Sequence, residues 1–387
     1  MSSHLTWRFT PLDTWFFKQA LAPDSLAAQE LTSLFPPSPR TLIGALRASV
    51  GEANQVDWQA YRKGQQPQIN DKIGAPNEAL PPNAQFSGVA ISRNGQRYYP
   101  MPLNWLAKSS EQGQQKGYTL YKLLPDAAPI HCDLGRVCLL NVPKDAEKGA
   151  KPLEQTYISS KAWKQLQTSL QTTVFVADSE FLNKDALFKD EPRLGIARDN
   201  NTRKTEDGKL YQTKHLRLAQ GISLEIDSQG WEVENHLKTV MLGGEGRLAQ
   251  LTQLTAQTPA SINIPAQAKG LILTLISPAH FQQGWIPDGF SQMERHGQTV
   301  WQGQIHGIEM TLICAVIGKA HREGGWNLAQ HQSRGVESLV PAGSCYYLEP
   351  QNTSIQQAWS TLSDPANRQA IGQDTDIGRG QFNLAVY

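Results

Sequence analysis

The sequence lacks any long apolar segment. No stretch approaches the roughly 18 apolar residues that a membrane-spanning helix needs, and the longest apolar runs, GLILTLI and TLICAVIG, are typical of buried strands. The amino terminus, MSSHLTWRFT, has neither a basic flank nor an apolar core, so we expect no secretory signal. These features predict a folded protein that has no membrane partner.

Cysteine is scarce, and the four cysteines are scattered. Cys132, Cys138, Cys314 and Cys345 form no Cys-x-x-Cys pair, which argues against both a disulfide framework and a zinc ribbon. The nine histidines likewise show no metal-binding spacing. We therefore expect a reduced, cytoplasmic location and neither a metal nor another cofactor.

The sequence also lacks a strong excess of one charge. Its 36 basic and 35 acidic side chains give a net charge of +1, so no overall field attracts nucleic acid. Any such binding must depend on local clusters. The candidate is the segment of residues 193–217, which holds seven Lys and Arg against three Asp and Glu, together with His215.

The stretch SLFPPSPRTLIGALR predicts the start of a helix. Ser38 is a preferred N-cap, and Pro39 stands at the first helical position, where its missing N–H costs nothing. The apolar side of this helix consists of Leu42, Ile43, Leu46 and Val50. Beside it, Arg40, Gly44 and Arg47 form a narrow stripe.

Two interpretations of this helix start remain open. The N–H groups around Ser38 and Thr41 favour an anion, arginine's planar donors suit phosphate, and Gly44 allows another chain to approach. Alternatively, it is an ordinary capped amphipathic helix with solvated arginines.

The elements around this helix predict an α+β fold. A strand in LTWRFTPLDTWFF precedes it; a hairpin with the type I′ turn signal RNGQ, a helix near residues 160–170 and a strand at TTVFVA follow. This is the βαββαβ order of a ferredoxin-like, RRM-type domain, which we place at residues 1–185.

We assign residues 186–387 to a second domain. It opens with a hairpin near residues 193–217, whose arms are RLGIA and LYQTKHLRL. Further strands are predicted at GISLEID, KTVML, GLILTLI, MTLICAVIG and GSCYYLEP, with short helices near residues 231–237 and 355–362. The pattern alone leaves the topology of this half open.

Four blocks of sequence, in consistent order, resemble one known family. They are RFTPLDTWFF followed by SLFPPSPRTLIGALR; EPRLGIARDNNTRKTEDGKLYQTKHLRL; LGGEGRLAQL; and GKAHREGGWNLAQHQSRGVESLVPAGSCYYL. The family is the third subunit of type III-B CRISPR effector complexes (the Cmr complex), which belongs to the RAMP superfamily and is related to subunits that cap the crRNA 5′ handle.

The resemblance implies two RRM-like folds with long loop insertions and a glycine-rich loop. It implies crRNA 5′-handle binding, indirect contact with target RNA, and two protein partners: the large polymerase/cyclase-like subunit and the first RAMP backbone subunit. Carried onto this sequence, the family roles assign RNA contacts to Ser38, Arg40, Thr41, Gly44 and Arg47, to Gly243, Gly244, Glu245 and Arg247, and to Arg193, Arg198, Arg203 and Lys204. The last four lie in a hairpin that serves as a thumb against the guide–target duplex.

The hairpin tip has an unusual composition. DNNTRKTEDGK contains no apolar side chain, so it cannot form a core of its own. We expect this tip to be mobile in the free protein and to become ordered against RNA or a neighbouring subunit.

Two further clusters have both a functional and a structural interpretation. The glycines of GGEGR allow backbone N–H groups to form a phosphate nest, but they also suit a tight turn. GKAHREGGW offers Lys319, Arg322 and a stacking aromatic, Trp326, although a lone tryptophan commonly belongs to a core or an interface.

The sequence indicates no catalytic constellation. There is no HExxH or GxSxG motif, so we expect a non-catalytic protein. The alternatives are a RAMP endoribonuclease that processes crRNA, using His215 or His321 without a metal, and a scaffold that makes no specific RNA contact.

Overall fold

The structure is a computed structural model of the 387-residue chain, and it describes residues 4–19, 30–76, 79–126, 128–198, 205–256, 262–327, 332–364 and 369–387. The chain forms two compact units, each assembled from separate segments. Unit 1 comprises Met1–Gly95, Asp185–Gln257 and Arg322–Ser338, and unit 2 comprises Gln96–Lys184, Thr258–His321 and Leu339–Tyr387.

Strands greatly outnumber helices among the described residues. The helices are α1 (Pro39–Ala53), α2 (Trp58–Arg62), α3 (Asn70–Ile73), α4 (Ser160–Thr168), α5 (Lys184–Leu187) and α6 (Ile355–Ser363), with short 3₁₀ turns at Pro67–Ile69, Asp178–Glu180 and Thr375–Ile377. The strands before residue 185 are β1 (His4–Pro11), β2 (Glu30–Leu31), β3 (Gln85–Phe86), β4 (Ala90–Arg93), β5 (Gln96–Pro100), β6 (Trp105–Gln112), β7 (Gln115–Lys122), β8 (Leu124–Pro125), β9 (Ile130–Cys132), β10 (Gly135–Val137), β11 (Leu140–Asn141), β12 (Lys151–Pro152), β13 (Tyr157–Ser159), β14 (Thr173–Ala177) and β15 (Phe181–Leu182). The later strands are β16 (Phe188–Arg198), β17 (Thr205–Leu218), β18 (Ile222–Gln229), β19 (Thr239–Met241), β20 (Leu248–Thr255), β21 (Leu271–Leu275), β22 (Ser291–Arg295), β23 (Gln298–Ile305), β24 (Ile308–Val316), β25 (His321–Glu323), β26 (Trp326–Asn327), β27 (Gln332–Ser333), β28 (Glu337–Leu339), β29 (Cys345–Pro350) and β30 (Phe382–Val386).

The main sheet of unit 1 is antiparallel and has β1 at its centre. Its strand order is β4-β18-β1-β20-β19. Because side chains alternate along a strand, Trp7 and Phe9 of β1 are fully buried, and Arg8 projects to the other face. Helix α1 contributes the buried side chains of Leu42, Ile43, Leu46 and Val50.

A long antiparallel hairpin of unit 1 consists of β16 and β17, and the short strand β2 runs parallel to β17. Gly195 pairs with Tyr211 across the hairpin. A Cβ on Gly195 would lie 2.4 Å from the Tyr211 ring, so only glycine allows the ring to lie over this backbone. This contact gives a physical reason for the Gly-Ile and Leu-Tyr elements of the sequence block.

Among the residues that the structure describes, unit 2 contains several groups of paired strands, including the pair of β8 and β11. The largest has the order β30-β21-β29-β24-β23-β10-β9, with β22 also paired to β23. A second sheet has the order β12-β6-β7-β14, and β13 pairs with both β5 and β15 in a third group. The strands β21 and β29 are largely buried because they lie inside the largest sheet.

The structure confirms most of the predicted elements. Ser38 accepts a hydrogen bond from the backbone N–H of Arg40 and caps α1, with Pro39 in its first turn. Both turn residues of RNGQ, Asn94 and Gly95, have positive φ, as a type I′ turn requires. The predicted helices at residues 160–170 and 355–362 appear as α4 and α6.

The helix predicted at residues 231–237 is wrong, since this segment has no regular structure. Trp231 is buried, and its indole N–H donates to the carbonyl of Lys72 at 2.8 Å. The hydroxyl of Ser49, on α1, bonds both the N–H and the carbonyl of Leu237. The backbone N–H and carbonyl of Leu237, which a helix can pair internally, are therefore bonded by a residue that is distant in the sequence.

The α+β fold class is confirmed. Each unit consists of three segments that alternate along the chain with those of the other unit, so the units are not two consecutive halves. One segment boundary, at residues 184 and 185, falls where we placed the domain division. Strand β14, however, pairs with β7 in unit 2, whereas β1 and α1 belong to unit 1. The proposed division at residue 185 remains a prediction.

Unit 2 buries a lysine. Lys122, at the end of β7, is 1% exposed. Its ammonium group donates to the carbonyls of Ser169 at 2.9 Å and Val386 at 2.5 Å, and lies 5.6 Å from the centre of the Trp105 ring. Burial lowers the pKa of Lys122 to about 8, because a poorly solvated site disfavours the charged form.

This burial predicts a stability that depends on pH. Unfolded lysine has a pKa of about 10.4, so between pH 8 and about 10.4 the native state releases the proton first and gains stability as pH rises. We expect the unfolding free energy of the wild type, relative to Lys122→Met, to increase by about 2 kcal/mol from pH 7 to pH 10. Urea unfolding of both proteins measures this difference.

The matched control is Lys116→Met, because Lys116 is an exposed lysine of the same strand. Its stability should follow the wild-type pH curve. Parallel curves for wild type and Lys122→Met would contradict the predicted burial effect.

Candidate nucleic-acid interface

The start of α1 already has an anion beside it. The Ser38 hydroxyl, besides capping the helix, donates to the carboxylate of Glu323 at 2.9 Å. Glu323 is buried, and it lies in the GKAHREGGW block. A negative charge is favourable at a helix amino terminus. At this end of α1, the Glu323 carboxylate provides the negative charge that we predicted an RNA phosphate would provide.

The three members of the predicted stripe have different surroundings. Gly44 is exposed, and nothing lies within 4 Å of a Cβ built on it. Arg40 is half-buried, as is Thr41. The Arg47 guanidinium donates to the carbonyls of Ile73 and of Ala75, the latter at 2.9 Å, and to the Tyr61 hydroxyl at 3.2 Å.

Arg47 thus connects α1 to the segment that contains α2 and α3. The Tyr61 hydroxyl in turn donates to the carbonyl of Gly74 at 2.8 Å. These contacts occupy the Nε and one Nη of Arg47. In this structure Arg47 thus satisfies backbone carbonyls that have no partner within a helix.

A cluster of paired charges in unit 1 surrounds Asp13. One Asp13 oxygen lies 3.2 Å from Arg217, and the other lies 3.3 Å from both Arg193 and Arg247. Glu191 binds two of the same arginines more closely, Arg217 at 2.5 Å and Arg193 at 2.8 Å. The arginines come from β16, from β17 and from the segment before β20.

The charges shift the pKa values of these acids. Hydrogen bonds from Arg217 and then Arg193 hold the pKa of Glu191 below its ordinary value. Burial alone would raise the pKa of Asp13, but the Thr14 N–H and the arginines outweigh it, so this pKa is also lowered. Both acids are therefore carboxylates at neutral pH.

The GGEGR segment is a tight turn that packs against the chain after β1. The Gly244 N–H donates to the carbonyl of Phe16 at 2.8 Å. Gly243 has a φ of +79°, and a Cβ there would lie 2.5 Å from the same carbonyl oxygen. The structural interpretation explains these glycines, because both a left-handed backbone and a close approach are required.

Glu245, in the same turn, binds a fully buried histidine. His215 Nε2 lies 2.9 Å from a Glu245 carboxylate oxygen, Nδ1 lies 3.2 Å from the Thr14 hydroxyl, and the ring stacks on Phe16. Burial lowers the pKa of His215, although the contact with Glu245 opposes this. Both ring nitrogens are occupied, and the side chain has no exposed surface.

The Gly-Gly-Trp block contributes an exposed aromatic ring. Trp326 is 57% exposed, and Arg322 is exposed as well. Both belong to unit 1, whereas Lys319, also exposed, belongs to unit 2. Trp326 therefore does not belong to the hydrophobic core, which was one structural interpretation of this residue.

The structure brings together Arg193 and Arg247, two of the predicted RNA-binding residues. Arg198 lies at the end of β16, and Arg203 and Lys204 lie outside the described residues, as do residues 199–202 of the tip that we predicted to be mobile. Residues 205–209 of that tip belong to β17, and the mobility of the tip stays a prediction. Sequence reasoning missed Asp13, Glu191, Arg217 and Glu323. Asp13 stands two residues after β1, within the sequence block RFTPLDTWFF.

Comparison with models of protein families shows which family the chain belongs to. The model of a CRISPR-associated protein family, Cas_Cmr3, matches residues 7–386. The chain belongs to this family. The match confirms the resemblance to the third subunit of the Cmr complex that the four sequence blocks indicated. No curated protein sequence matches this Cas_Cmr3 family member.

Several solved structures resemble this Cas_Cmr3 family member distantly. Two are chains of type III-B Cmr-beta bound to cognate target RNA. The one that also contains AMPPnP is 15% identical (TM-score 0.44; 99% of this chain and 98% of that chain covered), and the other is 14% identical (TM-score 0.44; 100% and 99% covered). A chain of the Csm3–Csm4 subcomplex of a type III-A CRISPR-Cas interference complex is 11% identical (TM-score 0.40; 90% and 94% covered). Likenesses at this level carry no conclusion about function.

The contacts of Arg47 predict a structural effect of its removal. Arg47→Ala leaves two backbone carbonyls without their donor, and we expect it to lower the unfolding free energy by about 2 to 4 kcal/mol. Arg62→Ala is the control, because Arg62 is exposed and its Nε donates to the Trp58 carbonyl of its own helix; its effect should stay within about 0.5 kcal/mol. Denaturant unfolding tests both, and equal stability of Arg47→Ala and wild type would contradict the structural role.

Proposed function

We propose that the chain is a non-catalytic RNA-binding subunit of a type III-B CRISPR effector complex. In this role it binds the crRNA 5′ handle and links the large polymerase-like subunit to the RAMP backbone subunit in antiviral defence. The observation that carries the proposal is the family match, which extends over residues 7–386 and thus over nearly the whole chain.

We also infer that each unit contains a ferredoxin-like sheet. Across the sheet of unit 1, four strands lie in the order β20-β1-β18-β4. The fourth of these strands along the chain therefore lies at one end of this order, followed by the first, the third and the second. The strands β21, β24, β29 and β30 of unit 2 have the same order. Helix α1 follows the first strand in unit 1, and α6 follows the third strand in unit 2. Among the described residues, each unit thus has one helix at a position that a βαββαβ domain requires.

The surface of unit 1 supports RNA binding. Trp326 exposes an aromatic face, which stacks on bases regardless of their sequence. Arg193, Arg217 and Arg247 present guanidinium groups, which suit phosphate oxygens. Gly44 leaves space beside α1 in which a backbone can lie.

The geometry of His215 supports the non-catalytic role. A histidine that deprotonates a 2′-hydroxyl must come within hydrogen-bond distance of it. His215 is fully buried, and Thr14 and Glu245 occupy its two nitrogens. Of the two histidines in the nuclease alternative, only the half-buried His321 reaches the surface.

RNA binding through Trp326 is testable by substitution. Because one base–aromatic stack contributes about 1 to 3 kcal/mol, Trp326→Ala should weaken binding of the assembled complex to crRNA by about 5- to 100-fold. Trp326→Phe should retain most of the affinity. Fluorescence anisotropy with crRNA labelled at its 3′ end provides the measurement.

The control is Met241→Ala, which removes another exposed apolar side chain of unit 1. It should leave RNA affinity unchanged. If Trp326→Ala bound crRNA as tightly as Met241→Ala, Trp326 would be excluded from the RNA interface.

The non-catalytic role predicts no discrete products when the purified chain is incubated with repeat-containing RNA, with or without divalent metal. Gel electrophoresis of end-labelled RNA detects cleavage. Reproducible products that disappear in His321→Ala would establish the nuclease alternative and overturn this part of the proposal.

A further inference from the structure

We propose that Arg193, Arg217 and Arg247 form a site for one RNA phosphodiester, and that the carboxylate of Asp13 occupies this site until RNA replaces it. The inference rests on the proposed RNA-binding function and adds to it a competing group within the chain. It assigns roles to Asp13, Glu191 and Arg217, which lie in two of the four sequence blocks but received no individual role there.

The distances from the arginines indicate different roles for the carboxylates of Glu191 and Asp13. Glu191 binds Arg217 at 2.5 Å and Arg193 at 2.8 Å, within or below the range of about 2.7–2.9 Å for charge-assisted hydrogen bonds. Asp13 makes three longer contacts, at 3.2 to 3.3 Å. Glu191 therefore holds two arginines in position, whereas Asp13 is shared loosely among three and is the easier group to displace.

The site is also accessible from solvent. The side chain of Asp13 is 45% exposed and that of Arg217 is 53% exposed. Arg247 Nε is buried and has no hydrogen-bond acceptor among the described residues, so this guanidinium retains an unused donor. Glu245, in the turn that precedes Arg247, is bound to His215.

The charges allow an anion to take the place of Asp13. Three arginines face two carboxylates, so the cluster has a net charge of +1. A phosphodiester carries one negative charge on two free oxygens, as the Asp13 carboxylate does. Replacing one with the other keeps the charge of the cluster constant, and Asp13, already half-exposed directly after β1, moves into water.

The test compares Asp13→Asn with Asp71→Asn in the full chain. Asp71 is an exposed aspartate of α3 in the same unit, so both variants change the net charge equally. One arm measures thermal stabilisation by inorganic phosphate, and the other measures the affinity for a fluorescent single-stranded RNA over a range of salt concentrations.

We expect Asp13→Asn to bind RNA about three- to tenfold more tightly than Asp71→Asn at low salt. The plots of log affinity against log salt for the two variants should have the same slope, because RNA places one phosphodiester in the site in both proteins. Phosphate should stabilise Asp13→Asn more than either other protein. Adding Arg247→Gln to Asp13→Asn should abolish both gains.

The two arms separate this inference from the proposed function. RNA binding by the wild type without any gain in Asp13→Asn, in either arm, leaves the proposed function standing and overturns the inference. A gain with phosphate alone, while RNA binding stays at the level of Asp71→Asn, assigns the site to another anion, such as an acidic partner segment, and overturns the RNA assignment. An absence of RNA binding by all variants together with a phosphate gain contradicts the proposed function but keeps the anion site.

Discussion

The pairing of β1 with two strands from much later in the chain is the constraint on which unit 1 depends. Trp7 lies between Ile226 of β18 and Gln253 of β20, so more than 200 residues separate neighbouring strands. One face of β1 contributes Trp7 and Phe9 to the core. On the other face, Arg8 pairs with Glu225 at 2.9 Å, and this buried carboxylate requires such a partner. The same strand delivers Asp13 to the arginines of the β16–β17 hairpin.

This arrangement reconciles a nearly neutral chain with the proposed role in RNA binding. The segment of residues 193–217 has a local excess of basic side chains, but Glu191 from the hairpin and Asp13 from the end of β1 offset part of it in the folded state. Glu323 similarly faces the start of α1. Paired arginines cost less to hold in position than a cluster of unpaired cations, whose mutual repulsion opposes folding. The chain thus keeps arginines at its surface without a large net charge.

The sequence predicts local features well and distant contacts poorly. The N-cap Ser38, the type I′ turn of RNGQ and the strand with buried Trp7 depend on residues within a few positions of each other, and the structure confirms all three. The predicted helix at residues 231–237 failed because Ser49 and Lys72, far away in sequence, bind its backbone and its tryptophan. The partners of the arginines escaped prediction for the same reason, since 180 residues separate Asp13 from Arg193.

The surroundings of α1 narrow the ways in which RNA can contact this helix. A phosphate at the amino terminus would meet the carboxylate of Glu323, which is buried against Ser38 and cannot move into water as readily as the half-exposed Asp13. Arg47, farther along, is engaged with the carbonyls of residues 73 and 75. The exposed surface at Gly44 remains open. Under the proposed function, these surroundings favour a path of RNA along the side of α1 over binding across its end, and the predicted contacts of Ser38 and Thr41 with RNA stay predictions.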